Sequence, residues 1–151
     1  MTSASICQSD VHALVGAWRL KAFQIKSSSG DVTYPFGKDA QGVLIYSRCG
    51  LMSAQLMRKD RPAFESDDQQ VGTEMEIEES FKNCISYFGT FELHEEEGFV
   101  IHHVDKSLFP NWEGTPQKRF FQLKGNTLNI STPPVSWNKD QRVGILEWER
   151  V

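Results

Sequence analysis

The residues with the clearest chemical potential lie between positions 102 and 121, in the stretch HHVDKSLFPNWEGTPQKRFF. Two adjacent histidines, His102 and His103, open this stretch, and Arg119 precedes two phenylalanines at its end. A histidine can move a proton near neutral pH, and an arginine can stabilise a developing negative charge. The stretch therefore indicates a catalytic site, a ligand pocket or one half of an ordinary β-hairpin.

Only one of the two histidines can face a common site, because adjacent residues of a β-strand point to opposite sides. A hairpin centred near Glu96 pairs Gly89 with His103 and places His103 on the apolar face that carries Phe91. We therefore expect His103 inside, although a shift of one residue in the turn would exchange it for His102. A metal site built from both histidines is not expected, and we predict no metal.

Arg119 is the candidate charge in this site. The more apolar face of its strand carries Arg119, Phe121 and Leu123, which places the arginine inside. An unpaired buried charge is costly, so the arginine would need a partner, either a carboxylate of the protein or the acid, enol or phenolate group of a ligand. The alternative is an arginine at the rim with its guanidinium in water.

Other polar and aromatic candidates come from neighbouring segments. Tyr46 and Tyr87 each share a strand face with apolar residues. Their hydroxyls are therefore either polar groups of an interior pocket or those of ordinary core tyrosines. Ser53 and Gln55 lie on the less apolar face of their strand, and they become pocket groups if a bulge or a wide interior exposes them. The aromatic segment SLFPNWEGT joins two strands. It is expected to be either a lid that stacks on an apolar guest or a hydrophobic plug.

The elements that position these residues are mostly strands. Apolar and polar residues alternate at period two in about eight or nine segments joined by short turns. Consecutive hairpins favour an all-β, up-and-down antiparallel barrel, because closure removes exposed strand edges. A barrel of about eight strands can hold one small ligand. We predict a polar lead-in over residues 1–10 and one barrel domain over residues 11–151.

One helical insertion interrupts the strands. Thr73 with Glu76 forms a capping box, which predicts a helix over about residues 73–86. Asp60 before Arg61-Pro62 indicates an earlier helical start. The predicted packing residues of the helix are Ile77, Phe81, Cys84 and Ile85.

Composition limits the partners. The chain has 151 residues, with 16 basic against 20 acidic residues and a net charge of −4. This balance, without a basic stripe, argues against nucleic acid or an anionic membrane as a partner. The three widely spaced cysteines form no CxxC motif and predict free thiols. Because no secretory signal is visible, we expect a cytoplasmic protein. No cofactor is expected, and a homodimer stays open.

Two tryptophan motifs and several longer segments carry a family resemblance. Gly16-Ala17-Trp18 and Trp148-Glu149-Arg150 are similar to the lipocalin pairing, in which a GxW tryptophan is covered by an arginine from the last strand. The closer resemblance is to the lipocalin-like domain proteins of bacteria and fungi. It rests on YPFG (34–37), GVLIYSRCGLMSAQLMRKDRP (42–62), YFGTFEL (87–93), HHVDKSLFPNWEGTPQKRFFQL (102–123) and TPP (132–134). The resemblance implies a lipocalin-like barrel, and related barrels range from carriers to enzymes of secondary metabolism.

Three functions follow as hypotheses. The first is a cofactor-free isomerase, cyclase or dehydratase acting on a small hydrophobic or polyketide-like molecule. The second is a carrier that binds such a molecule without turnover, and the third is a haem binder with His103 as the axial ligand. The predicted catalytic residues are His103, Arg119, Tyr46 and Tyr87. The predicted ligand-binding residues are Ser53, Gln55, Phe91, Phe109, Trp112, Phe121 and Trp148.

Overall fold

A computed structural model describes residues 12–151 of the chain, and the predicted lead-in lies outside these residues. The described part contains ten strands, one α-helix and a 3-10 turn at Pro110–Trp112. The strands are β1 (Gly16–Ser27), β2 (Val32–Thr33), β3 (Gln41–Tyr46), β4 (Leu51–Met57), β5 (Cys84–His94), β6 (Phe99–Ser107), β7 (Pro116–Lys124), β8 (Thr127–Ser131), β9 (Val135–Trp137) and β10 (Asp140–Arg150). The helix α1 spans Glu74–Lys82.

Eight of these strands close into one antiparallel barrel. Strands β1, β3, β4, β5, β6, β7, β8 and β10 pair in that order, and β10 pairs again with β1. The short strands β2 and β9 extend the edges of β1 and β10. The prediction of a lipocalin-like, up-and-down barrel with a short helical insertion is confirmed. Its closed form removes free edges from the main sheet.

The barrel has two different ends, because consecutive strands run in opposite directions. The connections between β1 and β3, β4 and β5, β6 and β7, and β8 and β10 all lie at one end, here called the loop end. At the other end, here called the capped end, the guanidinium of Arg150 lies 4.2 Å from the ring centre of the fully buried Trp18. Arg150 also donates to the carbonyl oxygens of Val15 and Ala13. This is the tryptophan and arginine pairing that the resemblance implies.

The interior of the barrel is mostly apolar. Alternate residues of each strand point inward, and the buried set includes large side chains from opposite walls. Phe23, Phe36 and Trp137 form an aromatic group at the loop end, with the rings of Phe23 and Phe36 5.2 Å apart. Burial of this apolar surface is the main force that stabilises the fold.

Helix α1 begins where the capping box predicted. The Thr73 hydroxyl accepts from the Glu76 amide, and the Glu76 carboxylate accepts from the Thr73 amide. The predicted end near residue 86 is wrong, because Cys84 already begins β5 and Ile85 pairs with Leu56. No residue within α1 is buried, so the predicted packing of Ile77 and Phe81 against a core is also wrong.

Polar contacts connect α1 and its C-cap to the segment that follows β4. The guanidinium of Arg58 donates to the Asn83 side chain over 3.0 Å, and that of Arg61 donates to the Ser80 hydroxyl over 2.7 Å. The helical start predicted at Asp60 is absent from the described residues. There, the side chains of Ser66 and Asp68 accept from backbone amides two residues ahead and compete with helical bonding.

No helix among residues 12–151 combines the length and the apolar character needed to cross a membrane.

Candidate functional site

The hairpin of β5 and β6 decides which histidine enters the barrel. His94 pairs with Phe99, so the turn consists of Glu95–Gly98, and Gly98 adopts a positive φ of 74°. Glycine takes this left-handed conformation readily and fixes the register one residue away from the predicted pairing. Consequently Gly89 lies opposite Val104 instead of His103.

The prediction that His103 faces the interior is therefore wrong. The side chain of His103 is 45% exposed on the outer face, 3.0 Å from the Glu92 carboxylate. His102 is 2% exposed and lies inside, opposite Phe91. The haem hypothesis loses the interior ligand on which it depended.

Two tyrosine hydroxyls hold the ring of His102 from opposite sides. The hydroxyl of Tyr46 is 2.6 Å from Nε2 of His102, and the hydroxyl of Tyr87 is 2.7 Å from Nδ1. Tyr46 comes from β3 and Tyr87 from β5, so the closed sheet brings three strands to one point. Both tyrosines are buried, as their strand faces predicted. We call Tyr46, His102 and Tyr87 the interior triad.

Neither nitrogen of His102 is free to bind an iron ion while these two contacts persist.

Arg119 lies beside the interior triad. It is 7% exposed, and its inward orientation agrees with the alternation along β7. One guanidinium nitrogen donates to the carbonyl oxygen of Lys118 over 3.0 Å. Within residues 12–151, no carboxylate lies within ion-pair distance of this guanidinium. The interior therefore carries a positive charge that the described side chains leave unpaired.

Burial and this charge set the protonation of the triad. Burial lowers the pKa of His102 well below its usual range, and the positive charges of Arg119 and His103 lower it further. Burial raises the pKa of Tyr46 well above its usual value and also raises the pKa of Tyr87, while Arg119 acts in the opposite direction on both. At neutral pH the triad is thus an uncharged imidazole between two uncharged phenols.

The hydrogen count of the triad leaves one donor available. A neutral imidazole has one N–H donor and one bare nitrogen acceptor. One tyrosine therefore donates to the bare nitrogen, while the other accepts from the N–H and keeps its own O–H for a different partner. The free tyrosine O–H and the N–H groups of Arg119 together give the interior more hydrogen-bond donors than acceptors.

Aromatic rings surround the triad and lead to the loop end. Phe91 packs edge-on against Tyr46 with ring centres 4.8 Å apart, and Trp112 packs edge-on against Tyr87 at 5.7 Å. Phe109, which is largely exposed, packs edge-on against Trp112 at 5.8 Å. The segment around the 3-10 turn thus forms a path of rings from the surface to the triad.

The other predicted binding residues divide between the two faces. Phe121 packs partly buried against the core, and Trp148 is 2% exposed with no partner for its indole N–H in the described part of the chain. Ser53 and Gln55 bond to each other on the outer face of β4, so their predicted place in the pocket is wrong. The bulge that would have exposed them is absent from the pairing of β3 with β4, which is regular.

The chain is similar in sequence to one protein family and to a carrier protein. Residues 15–151 match the family described as Lipocalin-like domain, and this range contains every residue of the site. A 4'-hydroxy-3'-methoxypropiophenone carrier protein of Aspergillus oryzae, ppsC, is 34% identical over 108 residues. The alignment spans 66% of this chain and 96% of that relative.

Proposed function

This chain belongs to the lipocalin-like domain family, and we propose that its barrel carries a small aromatic molecule that bears hydrogen-bond acceptors. The observation that carries this proposal is the donor-rich group formed by the interior triad and Arg119 inside an otherwise apolar barrel. Binding sites for small molecules commonly combine apolar walls with a few placed polar groups. Here the apolar walls favour a ring system, and the donors favour a carbonyl or phenolic oxygen.

The similarity to a carrier protein supports the same class of ligand. The relative is named for 4'-hydroxy-3'-methoxypropiophenone, an aryl ketone with a hydroxyl and a methoxy group. Such a molecule offers one flat ring to Phe91 and Trp112 and an oxygen acceptor to the triad. Aryl ketones of this kind are therefore the first ligands to test.

The test is a binding titration combined with native mass spectrometry of the purified protein. We expect one equivalent of 4'-hydroxy-3'-methoxypropiophenone to bind and to quench tryptophan fluorescence. Only one tyrosine keeps a free O–H for the ligand, so one of the variants Tyr46→Phe and Tyr87→Phe should weaken binding about three- to tenfold, the effect of losing one neutral hydrogen bond.

Tyr34→Phe is the matched control, because the Tyr34 hydroxyl bonds to Gln24 outside the triad. Unchanged affinity in both triad variants would remove the triad from ligand recognition. Absence of binding by the ketone would refute its class as the ligand.

A second candidate function, a cofactor-free isomerase, cyclase or dehydratase, is favoured by the two short contacts of His102. A proton could pass from one tyrosine to a ligand oxygen, from the imidazole N–H to that tyrosine, and from the second tyrosine to the bare nitrogen. The second tyrosine would then be a phenolate, which Arg119 would stabilise.

Turnover separates the two functions. The ketone is incubated with the protein in deuterated water and recovered for mass spectrometry. A carrier returns it unchanged. In an enzyme, the tyrosine phenolate left by the relay removes a proton from the carbon next to the protonated carbonyl, and the resulting enol takes up deuterium at that carbon when it returns to the ketone. Loss of that exchange in His102→Gln, with exchange retained in His103→Gln, would identify proton transfer by the triad.

A further inference from the structure

The charges inside the barrel do not balance within the described chain. Arg119 contributes a positive charge at a position with little access to water. The titratable groups that face it are Tyr46 from β3, Tyr87 from β5 and His102 from β6. The buried residues of β1, β4, β8 and β10 are non-titratable, including Trp18, Leu20, Phe23, Ile25, Met52, Ala54, Leu56, Leu128, Ile130 and Trp148.

None of the facing groups supplies a negative charge at neutral pH. Burial keeps both tyrosine hydroxyls protonated by raising their pKa values, and His102 is neutral. A buried charge without a partner is costly, and that cost is relieved when an anion binds beside it. Since residues 12–151 supply no negative charge beside Arg119, a bound anion is the partner to test.

Building on the carrier function proposed above, we infer that the barrel binds its aryl ketone as an anion, through a ring hydroxyl that has lost its proton, with Arg119 as the counter-ion. In a para-hydroxyaryl ketone, the negative charge of the phenolate spreads through the ring to the carbonyl oxygen, so this hydroxyl ionises more easily than that of tyrosine. The phenolate oxygen then accepts from the Arg119 guanidinium and from the free tyrosine O–H. The O–H bond of the ligand breaks, and its proton passes to the buffer.

The proposal requires that binding lower the pKa of the ligand. The probes are 4'-hydroxy-3'-methoxypropiophenone and 3'-methoxypropiophenone, which lacks only the hydroxyl. Ionisation moves the absorption band of the first compound to longer wavelength. We expect the bound compound to ionise at least about one pH unit below the free compound, which corresponds to about tenfold tighter binding of the anion.

The matched protein variants are Arg119→Gln, which removes the charge, and Lys118→Gln, which removes the charge of an exposed neighbour on β7. Wild type and Lys118→Gln should prefer the hydroxylated probe about tenfold or more, and Arg119→Gln should lose that preference. Titration calorimetry in buffers of different ionisation enthalpy should show release of a proton on binding near neutral pH by the wild-type protein.

The outcomes separate this inference from the function on which it rests. If both probes bind with equal affinity, without a spectral shift or proton release, the anion inference is overturned and the carrier function stands. If neither probe binds, the carrier function for aryl ketones fails first. If Arg119→Gln does not fold, the spectrum and the proton release of the wild-type protein still show whether the ligand binds as an anion, because neither measurement depends on the variant.

Discussion

Mild acid is expected to destabilise this protein through one side chain, His102. The imidazole is buried between Tyr46 and Tyr87, and its pKa is lowered first by burial and then by the charge of Arg119. In the unfolded chain the same imidazole takes up a proton near pH ~6.5. Below that pH the unfolded state therefore binds a proton that the folded state excludes, and the free energy of unfolding falls.

The size of the effect follows from this difference in proton uptake. The contribution of His102 is fully present above pH ~6.5 and declines by up to about 1.4 kcal/mol per pH unit until the lowered folded pKa is reached. Between pH ~6.5 and ~5 the loss can therefore reach about 2 kcal/mol at most. That is a large share of the 5–15 kcal/mol typical of single domains.

The assay is urea unfolding followed by tryptophan fluorescence at several pH values across this range. His102→Gln keeps one donor and one acceptor for the two tyrosines but cannot be protonated, so its stability should change less with pH. His103→Gln, at the exposed neighbouring position, should keep the wild-type slope. A wild-type slope that persists in His102→Gln would show that another group causes the acid sensitivity and would refute the reasoning.

Three further predictions concern stability. Arg150→Ala removes the cover of Trp18 and two bonds to backbone carbonyls, and should lower the free energy of unfolding by about 2 kcal/mol in urea titrations. Gly89→Ala should cost about 3 kcal/mol or more, because a Cβ atom there would lie 1.9 Å from the His103 carbonyl oxygen. Thr73→Ala should destabilise α1 by about 1 kcal/mol and speed hydrogen exchange in the helix without changing the barrel transition.

The first two of these predictions have a control within the same chain. Arg48→Ala changes an exposed arginine, and Gly144→Ala places a Cβ no closer than 3.3 Å to the Thr132 side chain. Arg48→Ala should behave nearly as wild type, and Gly144→Ala should cost far less than Gly89→Ala. A wild-type melting curve for Gly89→Ala would contradict the close approach of β5 and β6. A global loss of stability in Thr73→Ala would contradict the external position of α1.

The barrel could be predicted from sequence because its signals are local. Period-two alternation identifies strands, and short turns join them in order, so an up-and-down closure follows without long-range information. The capping box at Thr73 and Glu76 is local in the same sense, and it fixed the start of α1. The end of α1 escaped prediction because the pairing of Ile85 with Leu56 overrides a helical pattern that continues through the sequence.

The site was only partly predictable for a similar reason. The inward positions of Arg119, Tyr46 and Tyr87 depend on alternation alone, and the structure agrees with them. The choice between His102 and His103 depends on the register of a hairpin, where one residue exchanges every side chain between faces. Gly98 was the sequence signal for the correct register, because glycine is favoured at turn positions that need a positive φ, and Gly98 adopts one.

Because α1 lies outside the barrel, the residues near the loop end that could affect ligand exchange are not the residues that stabilise the fold. Since α1 contributes no buried side chain, we expect that residues 74–82 can vary in length or charge at little cost to the barrel. These residues lie in the connection from β4 to β5 at the loop end, which is also the end reached by the aromatic path from the triad. Under the proposed carrier function, we expect substitutions there to change the rate at which a guest leaves while the chain still folds, so residence time and foldability would evolve independently.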